Sequence, residues 1–171
     1  MSGFEEDYER QMDDARARAR AAGRGDVLDY LDLRAANDRL RAAGVEWLIE
    51  GFMALAGEAN RAGAGLTLAR TDAHRFRVGN SWMVGTRLVL SRGVRSLTIE
   101  AGWPRTPRDG IVRGGGLACA LLAHFGRRDH GEELLLLPSA DEPRWLLVEK
   151  NGARTPLPAD RLRQHFAHLL G

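Results

Sequence analysis

Residues 81–103 read Ser-Trp-Met-Val-Gly-Thr-Arg-Leu-Val-Leu-Ser-Arg-Gly-Val-Arg-Ser-Leu-Thr-Ile-Glu-Ala-Gly-Trp, and this stretch decides the fold class. Trp82, Val84, Thr86, Leu88 and Leu90 share one parity; Leu97, Ile99, Ala101 and Trp103 share one in the next run. A period of two sends alternate side chains to opposite faces of a strand. Ser91-Arg92-Gly93 between the runs reads as a tight turn, so the stretch predicts a hairpin with one apolar face.

Upstream, Phe76 and Val78 alternate with Arg75 and Arg77, and Leu66 and Leu68 alternate with polar neighbours. Gly79-Asn80-Ser81 and Arg70-Thr71-Asp72 read as further turns. Short alternating runs joined by close turns predict an antiparallel meander. Downstream, the two prolines and the glycine between Trp103 and Gly110 predict a loop. Leu117 to Phe125 fits either a strand or a short helix opened by Gly114-Gly115-Gly116, and the strands on both sides favour the strand. Leu134–Leu137 and Trp145–Glu149 predict a hairpin across Ser139 to Pro143, and Asn151-Gly152 a turn into one more extended piece.

Before Gly65 the period is helical. Phe4, Tyr8, Met12, Ala15, Ala19 and Ala22 mark a first helix, ended by Gly23-Arg24-Gly25, with Asp26 as the expected cap of the next. A second helix runs from about Val27 to Ala43, with Gly44 ending or bending it. Val45, Leu48, Ile49, Phe52, Leu55, Ala56 and Ala59 form a broad stripe on a third, the most buried of the three. Pro158 opens a last helix whose apolar edge is Leu162, Phe166, Leu169 and Leu170. The expectation is an α+β fold in one domain, 1–171: a helical segment 1–63, an antiparallel sheet of about six to eight strands over 64–157, and a C-terminal helix 158–171 packed on the sheet.

Composition narrows the class. Apolar residues make up 44% and charged residues 28% of 171, which suits a globular chain. No apolar run approaches the roughly 18–20 residues that cross a bilayer, and the acidic N-terminus does not read as an export signal. Cys119 is the single cysteine, so no internal disulfide forms. The expected address is the cytoplasm, with no membrane partner. Charge is uneven: residues 1–60 carry a net −5 and residues 61–171 a net +7, and Lys150 is the sole lysine.

The candidate site residues fall into two groups. Arg113 with Gly114, Gly115 and Gly116 could present backbone N–H groups and a guanidinium to a phosphate, although the run lacks the Walker lysine and the dinucleotide spacing, and sharp bends also use glycine. Arg75, Arg77, Arg87, Arg105 and Arg108 would form a basic sheet face and adjoining loop able to grip phosphates, or to pair with Glu100 and the acidic helices. The five histidines (His74, His124, His130, His165, His168) lack ligand spacing, so neither a metal nor a cofactor is expected. Cys119 lies in an apolar run, Ser81 and Ser91 in turns without a nucleophile elbow, and Glu100 and Asp109 are the one carboxylate pair suggested for acid–base work. The first reading is therefore a non-enzymatic interaction or regulatory module that binds protein or a second copy of itself. The alternatives are a small-molecule-binding or catalytic domain with its pocket between sheet and helices, and a nucleic-acid binder using the arginine face, the latter not favoured because stacking aromatics are few.

Overall fold

The computed structural model describes residues 3–139 and 142–171 and has the α+β architecture the alternation implies. Helix α1 (Gly3–Ala21) and helix α2 (Gly25–Arg61) form a hairpin. Seven strands follow: β1 (Thr67–Val78), β2 (Ser81–Arg92), β3 (Arg95–Trp103), β4 (Ala118–His124), β5 (Arg127–Leu137), β6 (Arg144–Val148) and β7 (Arg154–Pro156). They pair antiparallel in the order of the chain, a pure meander, and helix α3 (Arg161–Leu170) closes the fold. Residues 140 and 141, at the tip of the expected Ser139–Pro143 turn, lie outside the described residues.

Both α2 and α3 cover one face of the sheet. Leu88, Leu90, Leu97, Ile99, Ala101, Ala120, Leu122, Leu134 and Leu136 meet Val45, Leu48, Ile49, Phe52 and Ala56 of α2 and Leu162, Phe166 and Leu169 of α3. The opposite face keeps a smaller cluster of Phe76, Met83, Cys119 and Leu135, closed by Val112 from the loop between β3 and β4.

Five local expectations need correcting, and two of them are bounds. Ser91 and Arg92 belong to β2, so the turn is Gly93-Val94. The last helix opens at Arg161, behind Asp160, rather than at Pro158. Helix α2 is continuous for 37 residues and passes straight through Gly44. That glycine serves close approach: a Cβ there would lie 2.5 Å from Leu136 Cδ2, and Trp145 Nε1 donates to its carbonyl at 3.0 Å. Asp26 is not the cap of α2 but a first-turn residue, where a carboxylate complements the helix dipole and here accepts from Arg24 at 3.0 Å. Arg70-Thr71-Asp72 is no turn. It leads into a β-bulge inside β1, where Asp72 and Ala73 together oppose Thr86 and Ala73 takes φ 53°.

The bulge inverts the parity of β1. Leu68 and Arg70 pair with Leu90 and Leu88, whereas beyond the bulge Arg75 pairs with Val84 and Phe76 with Met83. Odd residues after the bulge therefore share the face that even residues held before it.

The packing predicts a loss of stability on truncating one α2 position and on enlarging another. Phe52→Ala should lower the unfolding free energy by about 3–5 kcal/mol. Gly44→Ala should also destabilise, although alanine normally favours a helix interior by about 1 kcal/mol over glycine. Urea titration measures both; a Gly44→Ala protein as stable as the parent would contradict the close contact with Leu136.

Candidate binding cleft

The loop that leaves β3 begins Trp103-Pro104-Arg105, and the prolines at 104 and 107 stop it from extending the ladder. It folds instead into a short 3₁₀ turn (Pro107–Asp109), with Thr106 and Asp109 closing a capping box. Asp109 is buried; its Oδ2 accepts the backbone N–H of Arg105 and of Thr106 at 3.1 Å each, and its Oδ1 accepts from Arg75 at 3.1 Å. Burial alone would raise this carboxyl, but the three donors outweigh it and hold the group below the usual carboxylate range.

That turn fixes Arg105, which is only 4% exposed. Its guanidinium lies 3.7 Å over the ring of Trp103, with Phe4 and Tyr8 of α1 at 5.2 and 5.7 Å. Its two terminal nitrogens donate to Glu5 of α1 at 3.1 and 3.0 Å, and one also to the Val84 carbonyl at 3.0 Å. Arg34 of α2 donates to the Arg105 carbonyl at 2.7 Å. Nearby, Tyr8 donates to Asp38 at 3.0 Å, and Arg41 donates to the same carboxylate at 2.8 Å. Burial, with the Asp38 charge beside it, raises the Tyr8 hydroxyl above its ordinary pKa and keeps it a donor.

Between this hub and the β1 bulge lies a cleft of about 680 Å³, within the size range of small-molecule sites. Helices α1 and α2 form one side. The other is made by Asp72 and Ala73 of the bulge, Gly85 and Thr86 of β2, Trp103 and Arg105. Trp103 Nε1 and Arg105 Nε are both buried and have no hydrogen-bond partner among the described residues. Glu9, Asp13, Asp38 and Asp72 also line the cleft, together with Arg16, Arg39 and Arg70, the last held by Glu46 at 2.9 Å and Asp72 at 3.2 Å.

The site residues suggested by sequence are scattered. Arg75 and Arg77 lie on the face that carries Val84, stacked on Trp82 at 5.3 and 5.5 Å, whereas Arg87 pairs with Glu100 on the opposite face. Arg105 is buried behind α1, and Arg108 sits in the exposed part of the 3₁₀ turn. The bulge at Ala73 separates these arginines, so the five do not form one surface. Gly114 and Gly115 do take positive φ, but Gly116 packs against Leu135 and Val112, and Arg154 donates to the Gly114 carbonyl at 3.3 Å. Arg113 lies against Gly79.

The carboxylates Glu100 and Asp109 serve separate partners, since Glu100 meets His74 Nε2 at 2.6 Å. Ser81 accepts from the Ile111 N–H at 3.2 Å, and burial pushes the Cys119 thiol up to about 12. The feature that sequence reasoning missed is the pairing of Trp103 with Arg105; the two-residue spacing was visible, but nothing in it marked the arginine as buried.

No family model, curated protein or solved structure matches the chain. No described helix is long and apolar enough to cross a membrane.

Because α1 buries only Ala19, its attachment rests heavily on polar contacts. Glu5→Ala, which leaves the Arg105 charge short of its acceptors, should cost about 1.5–3 kcal/mol. Asp7→Ala, which breaks the exposed pair with Arg10, should stay within about 0.5 kcal/mol of the parent. Denaturant midpoints that shift equally in the two variants would contradict the hub.

Proposed function

We propose that the chain is a small-molecule-binding protein whose site is the cleft between the helical hairpin and the sheet. The observation that carries this reading is a set of three buried donors without hydrogen-bond partners among the described residues, Trp103 Nε1, Arg105 Nε and Arg16 Nε (the last 3.4 Å from Asp32), on residues lining the cleft. Leaving a buried donor unmade costs about 1–3 kcal/mol, and a ligand oxygen would remove that cost. The acidic residues Glu9, Asp13, Asp38 and Asp72 would take the ligand's donor groups. A compact molecule with acceptor oxygens on one side and an amine or amide on the other, of the amino-acid or small-peptide type, fits both demands.

A second reading, a protein-interaction module, is supported by one separate feature. Leu33, Leu40 and Trp47 recur at seven-residue intervals on α2 with Tyr30 one turn earlier, and they are 63, 37, 57 and 60% exposed. That stripe lies apart from the buried donors of the cleft, so the two readings fail independently.

The test is a thermal-shift titration of parent and Trp103→Phe proteins with free amino acids and dipeptides. Phenylalanine keeps an aromatic ring beneath Arg105 and deletes the donor. At least one compound should raise the parent midpoint, with tenfold or greater loss of affinity in the variant. Compounds that bind both proteins equally, or a panel that shifts neither, would contradict the ligand reading.

A further inference from the structure

Four of the five histidines meet at one end of the fold, although they come from three elements. His124 ends β4, His130 lies on β5, and His165 and His168 are one turn apart on α3. His124 and His165 are 8% and 4% exposed, with their rings stacked 5.2 Å apart. His130 and His168 lie 4.3 Å apart, each about 6 Å from His124. The described residues contain no group of three or more His, Cys, Asp or Glu side chains arranged to hold a metal ion. The cluster is instead wired by protons.

Its tautomers follow from chemistry. His165 Nε2 sits 2.6 Å from Glu132 Oε2, and a carboxylate can only accept, so that nitrogen carries the proton. In neutral His165 the other nitrogen, Nδ1, is then an acceptor, and it faces His124 Nε2 at 2.9 Å. His124 must donate. The chain from His124 through His165 to Glu132 thus satisfies each of its bonds only while His165 is neutral. A second proton on His124 would sit on Nδ1, leaving that bond in place but adding a charge to a ring only 8% exposed. A proton added to His165 Nδ1 puts two N–H groups head to head and breaks the contact between β4 and α3.

The surroundings do not favour added positive charge. His124 faces Arg127 and His130 of β5 and His165 and His168 of α3; Asp129 lies beside His130 and acts on His168, and Glu132 holds His165 and Arg161. Glu132 is already shared between His165 and Arg161, the latter at 3.1 Å. Elsewhere on α3, Arg163 is matched by Glu58 of α2 at 3.8 Å. From the chain terminus, Arg95 of β3 lies beside Gly171 and Arg92 of β2 donates to the Leu170 carbonyl at 3.1 Å.

We propose that this histidine cluster is a proton-operated latch that holds α3 on β4 and β5 at neutral pH and releases the helix on acidification. The direction follows from linkage. Burial, with the neighbouring His165, His168, His130 and Arg127 adding to it, pushes His124 down to about 4, and His168 also titrates below its ordinary value. An unfastened histidine takes up its proton near pH 6.5. Between about pH 6.5 and 4 the open form therefore binds more protons than the closed one. The contribution to stability is complete above that window and is lost as pH falls through it.

Native-state hydrogen exchange between pH 7 and 5, corrected for intrinsic exchange rates, tests the latch. The protection of α3 amides should fall about tenfold or more relative to α2 amides around Phe52, each unit of linked pH being worth a tenfold change. His124→Gln retains an N–H for His165 and cannot titrate, so combined with His168→Gln it should make that fall at least about threefold smaller than in the parent, leaving only what His165 itself contributes. Should the variant be too unstable, long-range ¹H–¹⁵N spectra of the parent imidazoles give the second measurement. His165 Nδ1 should accept the His124 N–H at pH 7, and that hydrogen bond should be lost together with α3 opening. Constant α3 protection from pH 7 to 5, or a His124 imidazole titrating near its ordinary 6.5, would overturn the proposal.

Discussion

The guanidinium of Arg105 is the constraint around which the N-terminal half of the molecule is arranged. A charge that is 4% exposed is tolerable only when paired and hydrogen-bonded, and the sheet alone offers it one carbonyl, that of Val84. The remaining acceptors come from Glu5, a hundred residues earlier, so α1 must fold back over the loop. Trp103 supplies a π face beneath the cation, and Asp109 anchors the backbone N–H of Arg105. Each partner comes from a different element, which makes this residue a junction of α1, α2, β2, β3 and the 3₁₀ turn. The cleft is a consequence. Because α1 is held at a distance by long polar side chains, it roofs the sheet without filling the space beneath.

The two ends of the sheet therefore differ in character. Beneath α2 and α3 the core is apolar and closed, built from Leu88, Leu97, Ile99, Leu122, Leu134, Leu136, Phe166 and Leu169. Towards β1–β3 the layer beneath α1 is polar, and the β1 bulge contributes Asp72 and Ala73 to the cleft in place of an ordinary strand residue. Strained backbone of this kind is costly unless the surroundings impose it, and it recurs beside binding sites. The histidine chain sits at the apolar end, where it joins the last helix to β4 and β5 by directional bonds that packing alone does not provide.

The alternation of residues 81–103 placed β2 and β3 and their facing sides, with the strand ends off by one or two residues, because a strand with one face buried cannot slip by one position without exposing its whole apolar set. The strand over 117–125 was legible from its neighbours for the same reason. Beta1 was not, since the residue at positive φ is Ala73 rather than glycine or asparagine, and no local signal announces a bulge there. The error propagated: with parity inverted past the bulge, Arg75 and Arg77 leave the side of the sheet where Arg87 stands, and the imagined basic face dissolves. Gly44 misled in the other direction, since a glycine placed for contact with Leu136 looks in sequence like a helix stop. The histidines escaped because His124 and His165 are forty-one positions apart, and only the closing of α3 brings them to 2.9 Å. Burial of Arg105 was invisible on similar grounds, its acceptors lying on α1.

At the centre of this account is the indole N–H of Trp103, a buried donor on a residue that lines the cleft, with no partner among the described residues. The ¹H–¹⁵N indole resonance of Trp103, assigned by comparison with Trp103→Phe, reports on it directly. During titration with a bound amino acid or dipeptide this resonance should move downfield as the donor gains an acceptor. The indole signals of exposed Trp47 and Trp82 should stay in place. A ligand that saturates the protein while leaving the Trp103 indole unmoved would contradict the account.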